Sequence, residues 1–227
     1  MHIWQTKPSR IGYFCNVNYF GMIPVTVYSE MTPNPNTMKF VANKYLLPTG
    51  ASVEFDSKMS AKGYSPLAEA LFDFPFVAKV FVASNFVTVA KTDNVPWDFI
   101  TMELREFIRE WIAFGKEVLI AMPSQIQLDP EDTNVTAASE SSAVLPKFAA
   151  SDLDDAIADL LDQYVRPAVA NDGGAIDFLG FEDGKVTVLL KGSCAGCPSS
   201  TATLKGGIEN LLKQHLPEVK EVVAFNG

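Results

Sequence analysis

The residues best placed to do chemistry in this 227-residue chain are two cysteines, Cys194 and Cys197, three positions apart in the run Gly192-Ser193-Cys194-Ala195-Gly196-Cys197-Pro198-Ser199-Ser200. The thiolate form of cysteine is both nucleophile and metal ligand. Proline is favoured at the first position of a helix, so Pro198 places Cys197 at the N-cap. It also biases Cys197 toward the extended backbone that a cap adopts. The free N–H groups of Ser199 and Ser200 are then expected to point toward the sulfurs. Those donors and the positive helix end favour thiolate over thiol. The neighbours are all small, which leaves room for a bulky group and lets backbone approach it.

Three chemistries fit such a loop. An iron–sulfur cluster generally takes four cysteine thiolates, and one chain offers two well-placed ones, so two chains would combine around a shared axis. A thiol–disulfide oxidoreductase also carries Cys-X-X-Cys at a helix start. Against that reading, thioredoxin-like motifs directly follow a strand of a βαβ unit, whereas a hairpin precedes this one and Ser193 is the residue before Cys194. Half of a structural zinc site is the third choice. Its further ligands would have to come from Cys15, His2 or His215, which lie far off in sequence and form no ligand pair. Spacing alone leaves all three open.

The totals narrow the partners. The net charge is −9 and the sequence pI about 4.7. Phosphate backbones and anionic lipid surfaces both attract Lys/Arg clusters, so neither nucleic acid nor a membrane is expected. No apolar run reaches the about 18 residues needed to span a bilayer. Three cysteines are too few for a secreted disulfide scaffold.

The loop must be positioned by its surroundings, and the composition divides the chain. Residues 1–22 read as an N-terminal extension, with Met22 as an alternative start. The stretch PSQIQLDPEDTNVTAASESSAVLP lacks apolar periodicity and cannot offset its own ordering entropy, so 120–150 reads as a flexible linker. The expected fold is α+β, with two small mixed domains at 23–119 and 151–227.

In the first domain, Thr32 to Asn36 is a turn cluster and Met38 to Leu47 a strand. Val77 to Ala83 and Phe86 to Lys91 form a hairpin around Ser84-Asn85. Trp97, Ile100, Leu104, Phe107, Ile108 and Trp111 then make the apolar stripe of a helix. In the second domain Ser151 and Asp154 suit the N-cap and N3 positions of a helix. Pro167 ends or kinks that helix, and Asp172-Gly173-Gly174 turns the chain. Strands are expected at Ala175 to Phe181 and Lys185 to Lys191, a helix after Pro198, and a last strand at Glu221 to Phe225. The order is helix, strand, strand, helix, strand.

These patterns carry a resemblance. Arg166-Pro167, Asp172-Gly173-Gly174, the cysteine run itself, Thr203-Leu204-Lys205 and Gly207-Ile208-Glu209 resemble the C-terminal domain of NifU over about Leu153 to Phe225. One departure is Ala175, where many members carry Asp. Thr32-Pro33-Asn34-Pro35, Lys39-Phe40 and Phe86 to Lys91 are similar to the N-terminal domain of the scaffold Nfu. The resemblance implies a homodimer bridging a four-iron four-sulfur cluster through Cys194 and Cys197. It further implies transfer of that cluster to apo iron–sulfur client proteins, with an upstream cluster-assembly scaffold as donor. The setting would be cytoplasmic, or the mitochondrial matrix in a eukaryotic host. The protein is read as a carrier and not an enzyme, since no paired carboxylates or nucleophile–base set stands out. The blander readings make Asp172-Gly173-Gly174 a tight turn, His215 a surface residue at a helix end, and Cys15 an incidental thiol.

Overall fold

The computed structural model describes residues 24–123, 148–195 and 198–226. The expected extension, most of the expected linker and Cys197 itself lie outside the described residues.

The N-terminal part is built on alternation. Strands β1 (Val27–Met31), β2 (Thr37–Ala42), β3 (Ser52–Phe55), β4 (Val77–Ala83) and β5 (Phe86–Lys91) form one antiparallel sheet in the order β1-β2-β5-β4-β3. Side chains alternate between the two faces of a strand. Phe40, Val53, Phe55, Val80, Val82, Val87 and Val89 therefore share one face, and all are buried in a common core. Helix α3 (Trp97–Ala113) covers that core with Leu104, Ile108 and Ile112, and the short α1 (Lys58–Ala61) and α2 (Pro66–Leu71) add Ala61, Leu67 and Leu71. Ser65 caps α2 by accepting from Ala68 N–H, and its own hydroxyl donates to the Val118 carbonyl. Pro96 is the N-cap of α3.

The expected hairpin and stripe helix fall where the patterns put them. The expected strand Met38 to Leu47 stops at Ala42, because the chain turns there: the N–H groups of Leu46 and Leu47 donate to Ser84 carbonyl oxygen.

The C-terminal part has the expected order. Helix α4 (Asp154–Leu160) runs through a π-helical turn (Leu161–Val165) into α5 (Arg166–Asn171). Pro167 lacks the N–H that an α-helical bond to the preceding turn requires. The wide turn just before it is the form its kink takes. At the other end the anticipated cap is shifted. Helix α4 begins at Asp154, whose carboxylate accepts from Ser151 N–H at 2.9 Å, while the Ser151 hydroxyl accepts from Leu153 N–H at 3.3 Å.

Strands β6 (Gly174–Glu182) and β7 (Lys185–Gly192) pair antiparallel, α6 (Pro198–His215) follows, and β8 (Glu221–Asn226) returns parallel to β7. The helices bury Ile157, Leu161, Val165, Ile208 and Leu212 against Ile176, Val186, Val188 and Leu190. On the outer side of α6 Lys213 pairs with Glu209 at 2.5 Å, an i,i+4 contact. Among the described residues no helix is long and apolar enough to cross a membrane.

Candidate functional site

The cysteine loop lies where β7 ends and α6 begins, between two turns that close on one another. Gly173, at φ +82°, and Gly192, at φ +68°, both sit in the left-handed region that glycine alone enters cheaply. A Cβ on Gly174 would lie 2.6 Å from the Lys191 carbonyl oxygen and 2.9 Å from Cys194 Sγ. A Cβ on Gly192 would lie 2.7 Å from the Gly173 carbonyl oxygen. The paired glycines are thus a tight turn, as anticipated, and they also clear the space that the sulfur occupies.

Hydrogen bonds lock the two turns together. Ser193 N–H donates to Gly173 carbonyl oxygen at 3.2 Å, and the Ser193 hydroxyl donates to that of Asp172. From the first turn of α6 the Thr201 hydroxyl donates to the Cys194 carbonyl at 3.2 Å. Nothing in the residue pattern separated Thr201 from any other helix-start hydroxyl.

Cys194 itself is a free thiol, 6% exposed, packed into the core of the C-terminal part. Burial pushes its thiol above the ordinary value and the Asp172 charge adds to this; the Ser193 hydroxyl, 3.9 Å from the sulfur, pulls the other way. For Cys194 burial works against the thiolate that the helix start is expected to favour. Desolvation disfavours the charged form and outweighs the donors available to it. A cavity of about 580 Å³ opens beside the sulfur, lined by Pro33, Tyr164, Asp172, Leu204 and Leu211 among others. Cys197 lies outside the described residues, but α6 does begin at Pro198, as the N-cap reading of its neighbour requires. Among the described residues no three His, Cys, Asp or Glu side chains converge on a metal position. His215 is exposed at the end of α6, stacked at 6.2 Å on Tyr164.

The topology corrects one sequence argument. Strand β7, helix α6 and strand β8 form a parallel crossover, so the motif does directly follow a strand of a βαβ unit. Topology therefore does not separate a cluster site from an oxidoreductase.

The N-terminal sheet reaches the same loop with its second face. The Glu54 carboxylate accepts from Gly192 N–H at 2.9 Å and pairs with Lys79 at 3.5 Å. The Thr88 hydroxyl donates to Gly173 carbonyl oxygen at 2.8 Å. Lys39 Nζ donates to Asn171 carbonyl oxygen at 3.1 Å and pairs with Glu30 at the same distance. Asn34 Nδ2 donates to Ser193 carbonyl oxygen at 3.4 Å, from the Thr-Pro-Asn-Pro turn. Burial lifts the Glu54 carboxyl above its ordinary value, and the Gly192 N–H and the Lys79 charge oppose that rise.

The folded chain therefore binds a proton at Glu54 more readily than the unfolded chain does. Stability linked to this group is greatest below the ordinary carboxylate range and declines as pH rises through that range toward the raised folded value. Glu54→Gln keeps an acceptor for Gly192 and removes the buried charge. Its melting temperature should exceed that of the unaltered chain at pH 8, with the gap closing at pH 4. A gap of constant size, read by scanning calorimetry, would mean that burial of the charge is not what shifts Glu54.

A cysteine loop cleared by glycines at the start of a crossover helix, behind a second domain that grips it, defines the architecture. Residues 157–223 match the family described as NifU-like domain, and residues 27–115 match the one described as scaffold protein Nfu/NifU N terminal. The chain is 36% identical over 198 residues to NifU-like protein 4, mitochondrial, of Arabidopsis thaliana, covering 86% of this chain and 64% of that one. It is 33% identical over 207 residues to the NFU1 iron-sulfur cluster scaffold homolog, mitochondrial, of Drosophila persimilis, covering 91% and 67%. A solution structure of a NifU-like protein from Saccharomyces cerevisiae matches at 24% identity and a TM-score of 0.38, covering 52% of this chain and 98% of that one. The chain belongs to the NifU-like (Nfu) family. It spans about two thirds of the length of the curated relatives it matches.

Proposed function

We propose that this protein carries an iron–sulfur cluster as cargo and hands it on, without turning over a substrate. Cys194 and Cys197 of one chain and the same pair of a second chain supply the four thiolates of a four-iron four-sulfur cluster on the dimer axis. The observation that carries the reading is the loop at Cys194: a soft sulfur donor on backbone cleared by Gly174 and Gly192, beside a cavity of about 580 Å³. The relatives named as mitochondrial iron–sulfur cluster scaffold homologues support it. An upstream assembly scaffold would supply the cluster and apo iron–sulfur proteins would receive it. In a eukaryotic host the mitochondrial matrix is the expected setting.

Exchange chemistry and iron ligation both need the Cys194 sulfur deprotonated and accessible, so its burial does not choose between them. The family assignment is what favours cargo. A ligand site held by two chains releases its cargo more readily than a four-cysteine site within one fold.

The test is anaerobic reconstitution of the reduced chain with ferrous iron and sulfide. The protein should turn brown, take up four irons per two chains and elute as a dimer. A colourless protein, or a brown one that stays monomeric, would overturn the reading. Insulin reduction by the apo-protein should stay near background.

A further inference from the structure

On the second face of the N-terminal sheet, three polar side chains reach out of their own domain to the loop of the other. Lys39 pairs with Thr88 across β2 and β5, Thr88 with Phe81 across β5 and β4, and Phe81 with Glu54 across β4 and β3. These four form one continuous row across the sheet. In the same order they meet the Asn171 carbonyl, the Gly173 carbonyl, the space a Gly192 Cβ would take and the Gly192 N–H. Each polar tie ends on a main-chain atom of one of the two turns that frame Cys194.

The apolar contact around the row is small, with Val41, Phe81, Ala83 and Phe86 against Ala170 and Ala175. An intramolecular interface of that kind is of the sort that opens and closes. The charge on Glu54 is taken out of water for a single loop N–H and Lys79, which no generic packing face requires.

The sulfur position gives the row its meaning. Cys194 Sγ faces inward, against Gly174, and is 6% exposed. A cluster shared by two chains needs that sulfur on the outside. On that reading the gripped loop must loosen before cargo can be held.

We propose that the Lys39–Thr88–Phe81–Glu54 row is a binding surface for the cysteine loop of its own chain, and that it holds the empty loop with Cys194 turned in until a cluster is taken up. Glu54 and Thr88 are positioning residues that act through the backbone of Gly192 and Gly173. Ala175 completes the surface, since a charged side chain there would lose water against Phe81 and Phe86. The need for an outward sulfur rests on the cargo reading above, whereas the grip on the empty loop does not.

The test uses the full-length reduced apo-protein and the rate at which iodoacetamide alkylates Cys194, read by peptide mass spectrometry so that Cys15 and Cys197 are counted apart. The double variant Glu54→Ala/Thr88→Val and the single variant Ala175→Asp should each react at least fivefold faster at Cys194, with unchanged circular dichroism. The conservative double variant Glu54→Gln/Thr88→Ser, which keeps acceptor and donor, should react no faster than the unaltered chain. Acceleration below fivefold in both disruptive variants overturns the proposal, as does equal acceleration in the conservative one. Iron and sulfide added to the same proteins separate the two readings. If no form gains colour the cargo assignment falls, while the alkylation rates still decide the grip.

Discussion

Cys194→Ser is expected to leave a folded chain that cannot hold iron. The sulfur packs beside Gly174, and among the described residues its hydrogen-bonding neighbour is the Ser193 hydroxyl. A serine oxygen fits there, at a cost of about 1–3 kcal/mol for burying a hydroxyl. That is a fraction of the roughly 5–15 kcal/mol by which domains are held folded. The effect on cargo is far larger because symmetry repeats the loss. One substitution per chain removes two of the four thiolates a shared cluster needs. Iron content and visible absorbance after reconstitution should fall more than tenfold, and the dimer peak should disappear. Dimers assembled from one altered and one unaltered chain lose a single ligand and should retain part of the colour. If the homodimer of Cys194→Ser stays brown, Cys194 is not a ligand.

How much of this was legible depended on element length and on distance along the chain. The hairpin of β4 and β5 and the stripe of α3 could be read directly, because six or more residues repeat one period between clear turn signals. Strand β3, with four residues, and helices α1 and α2, with four and six, were not foreseen. Segments that short show less than one full pattern, and their state is set by the core they cover: Phe55, Ala61 and Leu71 are all 2% exposed or less. Strand β1, VYSEM, sits at the sheet edge with polar residues on it and carries little apolar signal.

At the site, the spacing of the cysteines and the turn at the paired glycines could be read, whereas the inward sulfur could not. The helix-end argument considered only the donors ahead of the loop; the core behind it, reached through the gap at Gly174, decides the proton affinity of Cys194. Glu54, Thr88 and Lys39 look like ordinary outward residues of strands. Their partners lie 138, 85 and 132 residues away, and only the sheet register aligns them on one row.

Gly192→Ala should be strongly damaging and Gly206→Ala stabilising, though both add the same carbon. At Gly192 the new Cβ would stand 2.7 Å from Gly173 carbonyl oxygen, 2.9 Å from Gly174 Cα and 2.9 Å from Phe81 Cδ1. Two of those three neighbours are backbone, which cannot swing aside as a side chain can. Overpacking of this sort costs about 1–3 kcal/mol, and a non-glycine residue held at φ +68° adds roughly 1 kcal/mol. The sum of about 3 kcal/mol corresponds to a fall in melting temperature of about 6–12 °C for a chain of this size. At Gly206, exposed in the middle of α6, a Cβ meets nothing within 4 Å. Alanine there restricts the unfolded chain and favours the helix by about 0.5–1 kcal/mol. The damage at Gly192 falls where the two turns and the N-terminal sheet converge, so hydrogen exchange should rise first at Gly173, Ser193 and Cys194. Equal and small shifts in the two variants would mean that the turns around Cys194 do not close as tightly as 2.7 Å, and that Gly192 is there for its backbone angle alone.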